Sequence, residues 1–113
     1  MLEQFKVKPE DAVRVREENL RATVESVFRK MGLPEEDCSL GADVLVKADM
    51  RGVDTHGVSN MLRSYVTGYG SGEINPSPNW QITRETPSTA NIDGDRGLGI
   101  LIAPRAMDIA IQK

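Results

Sequence analysis

Polar and apolar positions along this chain follow different periods, and the changes of period divide it into elements. Residues 1–12, MLEQFKVKPEDA, show no period and read as a polar leader. Val13-Arg14-Val15 alternates, which predicts a short strand. From Glu17 the period lengthens. Leu20, Val24, Val27, Phe28 and Met31 follow at spacings of four, three, one and three, so they share one face of a helix. Gly32 is the expected left-handed stop. Pro34 suits the next first turn, and Glu35, Glu36 and Asp37 suit the positive end of its dipole. That second helix is expected to reach Met50, with Leu40, Val44, Leu45 and Ala48 inward and Arg51-Gly52 closing it.

Asp54 or Thr55 is the expected cap of a third helix, because a short side-chain oxygen accepts from first-turn N–H groups. The helix is predicted to run to about Tyr69. At 100° per residue, Val58, Met61, Leu62, Tyr65 and Tyr69 fall on one side, and His56, Asn60 and Arg63 on the other. GYGSGEINPSP, residues 68–78, is a loop by its glycines and prolines. WQITRE (80–85) and STANID (88–93) predict a β-hairpin turning at Thr86-Pro87. GDRGLG (94–99) is a glycine-rich turn. ILIAPRAMDIAIQK then opens a last helix, with Pro104 placed in its first turn and Met107, Ile109, Ala110 and Ile111 largely apolar. This helix carries no stop signal, and its apolar residues have no complete partner layer in 113 residues. The expectation is a truncated, N-terminal piece of a larger protein.

Composition narrows the function classes. Fourteen basic and seventeen acidic residues give a net charge of -3 with no basic patch, so nucleic-acid binding lacks its electrostatic drive. Trp80, two tyrosines and two phenylalanines are too few for a stacking platform. No apolar run approaches the ~20 residues of a membrane span, and the first residues lack a signal-peptide core. Cys38 is alone, which excludes a disulfide framework and makes a reducing compartment the default. One histidine and one cysteine do not make a zinc site, so no metal is expected.

The remaining chemistry gathers in RGVDTHGVSN, residues 51–60, around the only histidine. His56, Asn60 and Arg63 form a polar strip suited to a small anionic substrate. A guanidinium grips a carboxylate at two points, an imidazole passes a proton near neutral pH, and an amide offers both donor and acceptor. Gly57 in a first helical turn costs about 1 kcal/mol against alanine, which signals a close approach to the backbone there. Two other motifs fail. GDRGLG is not G-x-G-x-x-G and follows a hairpin rather than opening a βαβ unit. Read as a calcium loop from Asp93, the same stretch puts Leu98 at the glycine position and Pro104 at the bidentate glutamate.

GLPEEDCSLGADVLVKADMRGVDTHGV, the GEINP turn and IDGDRGLG occur in an order that resembles the malate/L-lactate dehydrogenase family lacking a Rossmann fold, a family that includes ureidoglycolate, sulfolactate and diketogulonate oxidoreductases. The resemblance covers about residues 13–113. It implies hydride transfer between NAD or NADP and a small 2-hydroxy or 2-oxo acid, in a cytoplasmic homodimer. It places His56 near the substrate as the catalytic candidate. Family members usually carry a carboxylate-holding arginine four residues later; Asn60 stands there, with Arg63 one turn further as its substitute in substrate binding. The family's usual acid/base histidine, and most of its cofactor-binding segments, lie beyond residue 113, so cofactor-binding residues in this chain stay unassigned.

The expected fold class is therefore α+β: a three-helix module at 13–78, then a hairpin and the start of a further helix at 79–113 that begin a nucleotide-binding domain. The chain by itself is expected to be inactive. The competing reading is a non-enzymatic helical interaction module with Met61, Tyr65 and Tyr69 as its partner-binding face.

Overall fold

A computed structural model describes residues 8–113. Its elements run α1 (Glu17–Lys30), α2 (Glu35–Met50), α3 (Val58–Ser71), β1 (Gln81–Glu85), β2 (Ala90–Asp93) and α4 (Gly99–Gln112), with single 3-10 turns at Pro9–Asp11 and Asp54–His56. This is the α+β class expected, with three helices preceding the hairpin. The leader is described only from Lys8, and residues 1–7 lie outside the described part. The short strand expected at 13–15 is absent: this segment has no regular structure and pairs with no strand among the described residues, and Val13 and Val15 are exposed. Alternation alone does not satisfy a strand's backbone groups.

α1 and α2 form an antiparallel pair around the main core. Val24 and Phe28 of α1 are fully buried against Leu33, Cys38, Ala42 and Leu45. Gly32 has φ +92°, and the Leu33 N–H donates to the Phe28 carbonyl at 3.3 Å, turning the chain sharply between the helices. Arg29 Nε donates to Glu35 Oε2 at 2.9 Å across that turn, and Arg21 bridges Glu17 of α1 and Asp43 of α2. These exposed pairs orient the helices more than they stabilise them.

The inward face of α2 departs from the hydrophobic pattern. Cys38, Gly41, Ala42, Leu45 and Val46 are buried, whereas Leu40, Val44 and Ala48 are only half-buried. The reason is Phe28. Its ring lies where a Cβ on Gly41 would sit, 2.7 Å from ring atom Cε2. Small residues, Gly41 and Ala42, mark the face beside Leu45, because they let an aromatic ring reach the helix backbone.

α3 packs Val58, Met61, Leu62, Tyr65 and Tyr69 on this core, the face its periodicity predicted. Met61, Tyr65 and Tyr69 are therefore turned inward, and the partner-binding face of the competing reading is already occupied. The Tyr69 hydroxyl is buried without a hydrogen-bond partner among the described residues. Burial, reinforced by the Asp37 charge, pushes its pKa up to about 12.

The hairpin forms as expected, antiparallel, pairing Gln81 with Asp93 and Glu85 with Ala90, with a register shift between Ile82 and Arg84. α4 begins at Gly99, so Pro104 is its sixth residue and lies inside the helix, not in the first turn. Having no N–H, it leaves the Ile100 carbonyl without its helical donor. Leu98 and Leu101 enter the core, and Arg105 Nη2 donates to Asp37 Oδ1 at 2.7 Å, the Asp37 side chain being 8% exposed. Met107 and Ile111 stay open at 59% and 74% exposure. No helix among the described residues is long and apolar enough to cross a membrane.

Two outcomes follow from this packing. Gly41→Ala gains helix propensity but drives a methyl into a buried ring; overpacking of this kind costs about 1–3 kcal/mol, so the urea midpoint is expected to fall. Tyr69→Phe is expected to leave the midpoint at pH 7 unchanged or higher, since the hydroxyl is buried unpaired. The folded phenol pKa is raised above the unfolded value of about 10, so its contribution is complete below pH 10 and lost as pH rises toward 12. Tyr69→Phe should make the alkaline loss of stability in that window shallower.

Candidate functional site

His56 does not lie in α3. It ends the 3-10 turn Asp54–His56, and Gly57 is the N-cap residue of α3, so neither Asp54 nor Thr55 caps the helix as expected. The capping group comes from elsewhere. Asp49 Oδ2, near the end of α2, accepts the Val58 N–H at 3.0 Å. The close approach signalled by Gly57 is real, and what approaches is this carboxylate: a methyl group at 57 would overlap Asp49 Oδ1 and Cγ.

The turn is pinned from its other side as well. Asn60 Nδ2 donates to the Asp54 carbonyl at 2.7 Å, and the Gly57 N–H donates to the same oxygen at 3.3 Å. Asn60 is half-buried and committed to the turn by that bond, so the structure gives it a supporting contact in place of a free one. Arg63 is exposed one turn on; its carbonyl accepts from the Thr67 hydroxyl at 3.0 Å, and its guanidinium makes no hydrogen bond or ion pair among the described residues. The three residues of the strip thus share one end of α3, but they are not equivalent.

The His56 ring is exposed. Its Nδ1 lies 2.8 Å from the Thr55 hydroxyl, which either donates to a bare Nδ1 or accepts from a protonated one. Nε2 has no partner among the described residues, so either tautomer leaves it available, as acceptor or donor. A groove of about 420 Å³, lined by Val13, Val15, Leu20, Asp49, Asp54 and Val58, lies beside the turn, and His56 does not line it.

The glycine-rich turn is used internally. Asp95 Oδ2 accepts from Asn75 Nδ2 and from the Asn79 N–H, each at 2.9 Å, and the Asn75 N–H donates to the Arg96 carbonyl at 2.9 Å. Asp95 and Arg96 hold left-handed φ of 47° and 56° to do so. The turn clasps the GEINPSP loop, and the sheet has two antiparallel strands among the described residues. No group of three or more His, Cys, Asp or Glu side chains among the described residues is placed to hold a metal ion.

Asp49 is the site residue that the hydrophobic pattern missed. A signal existed: an acidic side chain in the last turn of α2 opposes that helix's dipole, which indicates a duty outside its own helix.

This helical module with its pinned histidine turn and appended hairpin has well-matched counterparts. The malate/L-lactate dehydrogenase family profile matches residues 15–113, and the chain belongs to that family. It is 46% identical over 104 residues to a malate dehydrogenase of Pyrococcus horikoshii, covering 92% of this chain and 29% of that protein. It is 44% identical over 96 residues to an L-sulfolactate dehydrogenase of Methanocaldococcus jannaschii, covering 85% of this chain and 28% of that one. The solved structure of the Pyrococcus horikoshii malate dehydrogenase superposes with a TM-score of 0.84 over 88% of this chain and 28% of its own. The chain therefore spans less than a third of the length of these relatives.

Asn60→Ala removes the donor to the Asp54 carbonyl. Hydrogen-exchange NMR is expected to show faster exchange at Gly57, with a stability loss of about 1 kcal/mol.

Proposed function

We propose that this chain forms part of a dehydrogenase that transfers hydride between NAD or NADP and a small 2-hydroxy or 2-oxo acid. Membership of the family along residues 15–113 carries this reading. In it, residues 13–78 supply one wall of the substrate site, and 79–113 begin the nucleotide-binding domain. The enzyme works as a homodimer in the cytoplasm, a reducing setting that suits the lone buried Cys38.

The chain's own residues act on the substrate side. His56 Nε2 faces out from a turn held at both flanks, and it hydrogen-bonds the substrate oxygen at C2 or passes its proton. The Thr55 hydroxyl supports whichever tautomer results. Arg63, in the second turn of α3 and with its guanidinium unpaired among the described residues, holds the carboxylate. Asn60 keeps the turn in shape, and its remaining amide groups offer a weaker, neutral contact to the acid.

The test is made on the enzyme encoded by the reading frame that contains these residues. His56→Ala is expected to lower kcat by about 100-fold or more, with an unchanged urea midpoint because the ring is exposed. Arg63→Ala is expected chiefly to raise KM for the 2-oxo acid. The 113-residue chain alone is expected to show no turnover with NADH or NADPH. Full activity of His56→Ala, or turnover by the isolated chain, contradicts the reading.

A further inference from the structure

We propose that Asp49 and Gly57 form a steric lock that positions His56. The inference rests on the functional reading above and assigns a role to two residues outside the strip. Gly57 has φ −87° and ψ −171°, an extended conformation open to any L-residue. The backbone therefore does not require glycine. Space requires it. The Asp49 carboxylate occupies the volume of the absent Cβ, with its Oδ2 on the Val58 N–H at 3.0 Å.

The arrangement ties three things together. The carboxylate fixes the first turn of α3, an end that would otherwise leave its leading N–H groups unsatisfied. It presses on the residue directly after His56. It also joins the end of α2 to the start of α3, so the histidine turn is referred to the main core instead of moving as a loop. The Val53 N–H donates to Ala48 O and the His56 N–H to Val53 O, both at 2.9 Å, which completes the link from α2 to the imidazole. Asp49 is thus a positioning residue: its carboxylate is engaged with the Val58 N–H and acts on His56 through the turn.

A side chain at 57 and the carboxylate at 49 compete for one volume, so their substitutions must couple with a definite sign. In the whole enzyme, Gly57→Ala expels the carboxylate and Asp49→Ala removes it. Each is expected to lower kcat by about 100-fold, the scale of a displacement near 1 Å, while KM for the 2-oxo acid stays unchanged. The double variant is expected to be no worse than Asp49→Ala alone, because the clash has gone. Asp49→Asn keeps an acceptor oxygen and is expected to retain most of the activity. Multiplying losses in the double variant, or loss of kcat and KM together with a general fall in the urea midpoint, overturn the lock. His56→Ala, assayed alongside, separates the two levels. If it leaves kcat intact, the functional reading fails whatever the cycle shows. If it lowers kcat while the 49/57 losses multiply, the lock alone fails.

Discussion

One carboxylate decides where the chemistry of this chain can sit. Asp49 leaves α2 at its last turn and closes the first turn of α3, filling the space that glycine leaves at 57. Without it, the stretch 52–57 joins two helices as an ordinary connection. With it, the stretch carries the 3-10 turn Asp54–His56 in a geometry tied to the core. An exposed imidazole held this firmly suits chemistry, because catalysis depends on a group already waiting at its working position.

The core supplies the frame that makes this possible. Phe28 lies against Gly41, so α1 and α2 approach closely and the direction of α2, and hence of Asp49, is set by packing. The Asp37–Arg105 pair fastens α4 to the opposite end of α2. Removing one partner from such a pair strands a nearly buried carboxylate, so α4 is held by charge as well as by Leu98 and Leu101. The exposed Met107 and Ile111 show that α4 is apolar beyond what this core uses. The open face fits a chain that spans less than a third of its relatives' length.

Much of the architecture was legible in the sequence. Three helices, the glycine stops of α1 and α2, the α3 core stripe and the hairpin follow from periodicity and turn chemistry, which are local properties; Gly68 and Gly70, read as loop, lie inside α3, which ends at Gly72. The errors were non-local. The face of α2 is turned by a ring on another helix: Leu45 is buried and Leu40 packs at the core edge as expected, whereas Val44 and Ala48 stay outside it. Val13-Arg14-Val15 alternates but finds no strand to pair with. Pro104 marks a first turn in isolation, yet Leu98 and Leu101 anchor the helix earlier. At the site, the sequence singled out His56 and the close approach at Gly57. The approaching group lay eight residues upstream, and only the fold brings it there. The same contact caps α3 just past the histidine, and a separate bond from Asn60 to the Asp54 carbonyl holds the turn's other side.

The account depends most directly on whether Asp49 caps α3. First-turn amides of a helix have no carbonyl partner within the helix and exchange quickly with solvent. Here Val58 is capped, whereas the amides of Ser59 and Asn60 have no such partner among the described residues. Residue-resolved hydrogen exchange on the unmodified protein therefore compares neighbours within one turn. Slow exchange at Val58 beside fast exchange at Ser59 and Asn60 is the predicted result. Exchange at Val58 as fast as at Ser59 would mean that the carboxylate does not hold the turn, and the central claim would be wrong.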